Sequence, residues 1–226
     1  MGNQLLEKGL VDEKQLSVIY NPVSESLLQK VEEKRCEAFP IETKDKDNYA
    51  NLCETAEIAF IGRIDPQKNP THLIEAFSIL HEKMPNVRLR MVGSGNLDNE
   101  IKKMVADKGL TDYVTFDGIR NDMENIYSKA DVAALSSDYE GMPNCLIEAI
   151  GCGIPVVSYD CPLGPSEIIV QGVNGYLVPL HNIVALADRL QAAIEKKWDR
   201  EEIISTCDKF RVAKAATKYE EIFKKY

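Results

Sequence analysis

The sequence is short of what a metal centre, a membrane span or a nucleic-acid surface requires. It has three histidines, and none of its six cysteines (Cys36, Cys53, Cys145, Cys152, Cys161 and Cys207) forms a CxxC pair. The cysteines therefore read as reduced, mostly buried thiols of a cytosolic protein. No stretch approaches the ~20 consecutive apolar residues of a membrane-spanning helix. The opening MGNQLLEKGL lacks a signal-peptide apolar region, and Leu6 stands where a myristoylation start needs Ser or Thr. Positive charge is also scarce: 27 Lys and Arg face 36 Asp and Glu, a formal net charge of −9. That balance argues against nucleic acid or an anionic bilayer as a partner. What remains is an ordinary globular composition. At 226 residues and 44% hydrophobic, the chain can form one large domain, or one domain plus an appendage.

From residue 57 onward, apolar runs alternate with amphipathic ones. EIAFIG (57–62) predicts a buried strand. NPTHLIEAFSILHEK (69–83) predicts a helix, with Asn69 as N-cap, Pro70 in the first position and Leu73, Phe77 and Leu80 on one face. VRLRMVG (87–93) is a strand, and NLDNEIKKMVADKG (96–109) a helix stopped by Gly109. Strands YVTFDG (113–118), DVAALS (131–136), IPVVSY (154–159) and GYLVP (175–179) follow, with helix NDMENIYSKA (121–130) between the first two. Alternating strands and helices imply a parallel sheet with right-handed crossovers. Continuously apolar strands imply helices on both faces. The expected fold class is therefore α/β, a Rossmann-like parallel sheet. Ligands of such sheets bind beyond the carboxyl ends of the strands, and there lie GRIDPQK, GSG, GIRND, SSDYEGMPN and DCPLGPSE.

The ends read differently. LSVIYNPV (16–23) is a short extended run, and 24–56, with the charged ETKDKDNYAN inside it, reads as linker or loop. Its DKD (45–47) lies in a solvated charge run and is not taken as a metal site. Residues 201–226 read as C-terminal helices. Val212, Ala216, Tyr219 and Phe223 form an apolar stripe that either packs on its own domain or bridges to something else.

Two loops carry candidate chemistry. Arg63 and Lys68 follow strand 57–62 and precede a helix. Two cations at a strand end suit a diphosphate, the Arg bidentately and the Lys as a point charge, and can stabilise it as a leaving group without a metal. The spacing alone favours the plainer reading, two solvated surface cations. Glu140 and Glu148 lie eight positions apart in DYEGMPNCLIEA. Glu140 falls in the loop after a strand, where it can reach a sugar hydroxyl. Pro143 fits the first turn of the next helix, whose free N–H groups near 141–146 suit an anion or hydroxyl. Glu148, one turn after Asn144, can accept from a ribose diol or be an ordinary helix-surface acid. VGSGN (92–96) is not a dinucleotide fingerprint, because Asp98 stands where GxGxxG needs its third Gly.

Arginine with a lysine five positions later, then GSG, then VTFDG, IYSKADVAALSSDYEGMPNCLIEAIGCGIPVVSYDCPLGPSEII and GVNGYLV, together resemble the donor-binding half of a glycosyltransferase family 4 enzyme. The resemblance spans about residues 57–180, and SVIYNPV resembles the hinge strand entering that half. It implies the C-terminal half of a GT-B fold, retaining chemistry and no metal or other cofactor. Arg63, Lys68 and Glu140 would be catalytic, the cations gripping the donor diphosphate and Glu140 contacting the transferred sugar. Gly141, Met142, Asn144, Cys145 and Glu148 would bind the donor, Glu148 at the ribose, and Ile119 and Arg120 would lie beside the base. DCPLGPSEII resembles members that use UDP-hexoses or UDP-N-acetylhexosamines. The expected partners are a nucleotide sugar and a glycan or lipid-linked acceptor. The acceptor, and any contact with the inner face of a membrane, would belong to an N-terminal domain of which residues 1–23 look like a remnant. On that division 57–200 is the nucleotide-sugar domain, and the chain reads as a cytoplasmic C-terminal fragment inactive by itself. A non-catalytic nucleotide-sugar-binding module and a nucleotide-sugar epimerase of the same fold are the alternatives.

Overall fold

The computed structural model describes residues 16–38 and 55–224. Residues 1–15, the 42–51 charge run with its DKD and Cys53 lie outside them. Six parallel strands form one sheet: β1 (Glu57–Ile61), β2 (Arg88–Val92), β3 (Val114–Gly118), β4 (Val132–Leu135), β5 (Val156–Tyr159) and β6 (Gly175–Val178). Their order is β3-β2-β1-β4-β5-β6, that of a doubly wound sheet. The expected α/β Rossmann-like class is what the chain adopts. Strand order reverses between β1 and β4, which pair at Ile58–Val132 and Ala59–Ala133.

Period-two alternation sends neighbouring strand residues to opposite faces, and both faces are buried. Ile58 and Phe60 of β1 join one core with α2 (Pro70–Lys83), α3 (Asp98–Asp107) and α7 (Ile183–Glu195), through residues such as Leu73, Phe77, Ile101 and Leu190. Ala59 faces the other way. That second core gathers α1 (Glu25–Ala38), α4 (Met123–Tyr127), α5 (Asn144–Gly151), α6 (Pro165–Ile168) and α8 (Arg200–Ser205) through Val31, Ile126, Ile147, Ile150, Ile168 and Ile203. Among the described residues no helix is long and apolar enough to cross a membrane.

Local signals act as the sequence predicts at α2, where the Asn69 side chain accepts from the His72 amide and Pro70 takes the first position. Two expectations need correction, and one left open is decided. Residues 24–56 are not wholly linker: Ser24 Oγ accepts from the Leu27 amide, and α1 runs from Glu25 to Ala38. Leu27, Leu28 and Val31 pack this helix on the second core, so tertiary burial decides a segment whose high charge reads as loop. LSVIYNPV pairs with no strand among the described residues. It is held instead by the Val23 amide donating to the Phe210 carbonyl and by Tyr20 packing edge-on against the Phe210 ring. The last helix, α9 (Val212–Phe223), does not lay its stripe on its own domain: Val212, Tyr219 and Phe223 are 45%, 52% and 75% exposed. Its inner face is instead Ala215, Lys218, which donates to the Val18 carbonyl, and Ile222.

GSG serves backbone approach. Gly93 (φ +130°) lies so near the β1 end that an added Cβ would sit 1.9 Å from the Gly62 carbonyl oxygen. Gly93→Ala is therefore expected to cost about 2–4 kcal/mol, combining a backbone clash with a conformation that L residues rarely adopt. Gly141→Ala, where a Cβ meets nothing within 4 Å, should stay within about 0.5 kcal/mol of wild type. Urea midpoints at equal slope check both; equal stability of the two variants would contradict the packing described.

Candidate active site

The site is built where strand order reverses, from the loops leaving β1 and β4. After β1 the chain makes one short 3-10 turn, Pro66–Lys68, capped by the Asp65 side chain. This turn points Lys68 across the junction. Its Nζ meets Glu140 Oε1 at 2.6 Å, with only 13% and 7% of the two side chains exposed. Ser137, itself buried, donates its hydroxyl to the same Glu140 oxygen at 2.6 Å. The loops are stitched along their length. The Asp138 amide donates to the Gln67 carbonyl, the Gln67 side chain to the Tyr139 carbonyl, and the Ser136 hydroxyl lies 2.9 Å from the carbonyls of both Lys68 and Asn69. Arg63 is 70% exposed, and among the described residues its side chain pairs with Asp65 and donates to Gln67, both of its own loop. Its charge is thus held at the rim and Lys68's within.

Gly141 is exposed and Met142 half-buried on the second core. Pro143 is the N-cap of α5, one position earlier than the first turn expected for it, and Asn144 is the first helical residue. Asn144 and Glu148 share a face one turn apart. Asn144 accepts from the Asn21 side chain at 3.2 Å, and Glu148 Oε2 accepts from the buried Tyr127 hydroxyl at 2.7 Å. Burial raises the Glu148 carboxyl above the usual range, and the Tyr127 hydrogen bond pulls partly against it. Desolvation pushes the Cys145 thiol up to about 12, which keeps it in the protonated form at neutral pH. Gly164 (φ +85°) lets the loop after β5 close on this turn, since a Cβ there would lie 2.6 Å from Pro143 Cδ.

The structure thus brings Arg63, Lys68, Glu140, Gly141, Met142, Asn144, Cys145 and Glu148 to the β1, β4 and α5 junction. It does not bring Ile119 and Arg120 to them. These follow β3, two strands out along the same edge; Ile119 is 81% exposed, and Arg120 pairs with Asp122. Sequence reasoning did not single out Ser137, Gln67 or Tyr127. Ser137 stands in the quoted loop, but nothing in its spacing marks it. Tyr127 lies on another helix and is linked to Glu148 only by the fold.

The family model described as glycosyl transferases group 1 matches residues 42–210 of the chain. The chain belongs to the group 1 glycosyl transferases. Among relatives of this family, the poly(glycerol-phosphate) alpha-glucosyltransferase of Bacillus subtilis is 32% identical over 168 residues, 74% of this chain and 24% of that protein. The poly(ribitol-phosphate) alpha-N-acetylglucosaminyltransferase of Staphylococcus aureus is 32% identical over 133 residues, 59% of this chain and 27% of that protein. The chain therefore spans about a quarter of the length of either. In fold it matches HepE of Anabaena in complex with UDP, at a TM-score of 0.79 and 21% identity, over 99% of this chain and 61% of that one.

Removing one partner of the Lys68–Glu140 pair should cost more than removing both, because it leaves a charge in a largely dry junction. Lys68→Met is expected to lose about 3 kcal/mol. Adding Glu140→Gln should restore at least half of that in urea denaturation. Additive losses would mean that the pair is solvated and energetically silent.

Proposed function

We propose that this chain is the nucleotide-sugar-binding half of a retaining glycosyltransferase of family 4, with a GT-B architecture completed by an acceptor-binding domain. The observation that carries this is the Lys68–Glu140 contact at the β1–β4 switch point, with Arg63 at its rim and Glu148 deeper along α5. The α/β sheet has its ligand crevice at this place. Arg63 and Lys68 would bind the donor diphosphate and stabilise it as it leaves. Glu140 would contact the transferred sugar, Glu148 the ribose, and the turn Gly141–Cys145 would supply backbone donors to sugar or phosphate. Ile119 and Arg120 would flank the base from the β3 end. Neither a metal nor a separate cofactor enters this scheme, since two cations stand where the leaving charge develops. Retention follows if the acceptor attacks from the face that UDP leaves.

The favoured donor is a UDP-hexose or UDP-N-acetylhexosamine. The glucosyl and N-acetylglucosaminyl transferases named above and the UDP complex of HepE support that choice. The acceptor would be a glycan or lipid-linked glycan in polysaccharide or glycoconjugate synthesis, acting in the cytoplasm. It would be held by a domain outside residues 57–200, with 16–23 as the hinge. The chain covers 24% of the Bacillus relative and 61% of HepE, which supports a second domain in the complete enzyme. Because positioning two reactants supplies much of a transfer rate, this chain by itself should bind donor and not turn it over.

Calorimetric titration with UDP, GDP and ADP tests the assignment. UDP should bind preferentially, and Arg63→Ala and Glu148→Ala should each weaken it about tenfold or more, the loss of a charge-assisted hydrogen bond. No nucleotide binding, or binding indifferent to both substitutions, would overturn it. Robust sugar transfer by the 226 residues to a defined acceptor would overturn the two-domain division.

A further inference from the structure

Tyr127 closes the short helix α4, and its ring is completely buried among apolar residues of the second core. A phenylalanine would fill the same space. A buried hydroxyl is unfavourable unless it is hydrogen-bonded, so its partner is informative. The hydroxyl has one proton to give, and it lies 2.7 Å from Glu148 Oε2, against 3.4 Å from the Cys145 carbonyl. Glu148 is thus the acceptor, and the one strong contact of this buried phenol is with a carboxylate on the ligand-facing helix. The relative placement of the two helices is also fixed. The Arg35 guanidinium of α1 donates to the Tyr127 carbonyl at 3.1 Å, to the Ala130 carbonyl at 3.5 Å and to the Cys152 carbonyl at 3.2 Å, tying the end of α4 to the end of α5.

We infer that Tyr127 is a positioning residue: its hydroxyl holds Oε2 of Glu148 and leaves the other carboxylate oxygen free for the ribose hydroxyls of the donor. The inference rests on the donor assignment above and deepens it at the ribose. Tyr127 has a second effect on the same group. Burial raises the Glu148 carboxyl, and the donated hydrogen bond favours its charged form. Burial and the adjacent Glu148 carboxylate in turn hold the phenol protonated, so it remains a donor. Removing the hydroxyl would let the carboxyl rise further and rotate about its last bonds. The carboxylate is the form that accepts both ribose hydroxyls. As pH falls, ribose recognition should therefore fade, and it should fade at a higher pH without the Tyr127 hydroxyl.

The experiment compares binding of UDP and 2′,3′-dideoxy-UDP to the wild-type chain, Tyr127→Phe and Glu148→Gln, over a range of about pH 5 to 8. The readout is the affinity ratio of the two nucleotides. Wild type should prefer UDP, and Glu148→Gln should lose most of the preference. Tyr127→Phe should lower the ratio about three- to tenfold at neutral pH, with dideoxy affinity unchanged and the pH midpoint of the ratio moved upward. A merely structural role would weaken both nucleotides alike and leave the midpoint in place; that result overturns the inference. If Tyr127→Phe does not fold, incorporation of 3-fluorotyrosine keeps the ring and strengthens the donor. The midpoint should then move downward, and an unmoved midpoint overturns the inference equally. A wild-type chain that binds UDP but does not distinguish it from the dideoxy form removes the ribose role of Glu148, and the inference falls with it. Absence of UDP binding removes the donor assignment itself.

Discussion

The contact on which the site depends is the Lys68–Glu140 ion pair across the β1–β4 junction. The sheet brings these residues together because β1 and β4 are hydrogen-bonded neighbours although about seventy positions separate them. At a doubly wound switch point, the loops from adjacent strands part to opposite faces and leave a crevice. A lysine and a glutamate nearly stripped of water in that crevice would be costly singly. Together, with the Ser137 hydroxyl on the same oxygen, they form a charged unit already held in place. The loops are also bonded to each other by main-chain and side-chain contacts other than the ion pair itself, which hold the framework around it.

Arg63 and Lys68 are different kinds of cation in this framework. Arg63 extends into solvent, tied to the Asp65 and Gln67 of its own loop, and can turn to a ligand at little cost. Lys68 is committed. A diphosphate bound as proposed would bring more negative charge than one carboxylate, and would draw Lys68 while Glu140 keeps its Ser137 contact. On the proposed donor assignment, the charge of Glu140 would then turn toward the sugar instead of being left unpaired. A lysine, with three donors on one ammonium, can face both partners at once. The fixed fork of an arginine is less suited to that division.

Much of this was legible in the sequence, for physical reasons that can be assigned. The strands are buried on both faces, so each appears as an unbroken apolar run, and Asn69-Pro70 marks the start of α2 by cap chemistry alone. The cluster was legible because Arg63, Lys68 and Glu140 lie just beyond strand ends of an alternating β–α pattern and Glu148 lies one turn into the helix that follows. Two things were hidden. Helix α1 carries so many charges that its helicity depends on Leu27, Leu28 and Val31 finding the second core, information that is not local. The stripe on α9 has true helical spacing, but periodicity identifies a face and not what it meets. Here Ala215 and Lys218 take the inner side, and Tyr219 and Phe223 stack on each other at 6.5 Å in the open.

The support behind the site was the least legible part, and its chemistry explains why. Asn69 caps α2 and also donates to Asp138, which pairs in turn with His181 at 2.9 Å. Asn69 Nδ2 and the Tyr159 hydroxyl both lie within 3.3 Å of His72 Nδ1. These five residues come from α2 and from the loops or ends of β4, β5 and β6. No sequence interval relates them: four are ordinary polar residues taken alone, and Tyr159 reads as a core aromatic. Their effect is to hold the backbone of 136–139 between the helix that follows Lys68 and the far half of the sheet. Glu140 then projects from a segment anchored on both sides. Tyr127 is hidden in the same way behind Glu148. In both cases the acid is found by its place in the loop or helix after β4, whereas the group that steadies it depends on how the helices pack. The first is written in local pattern and the second only in the completed fold.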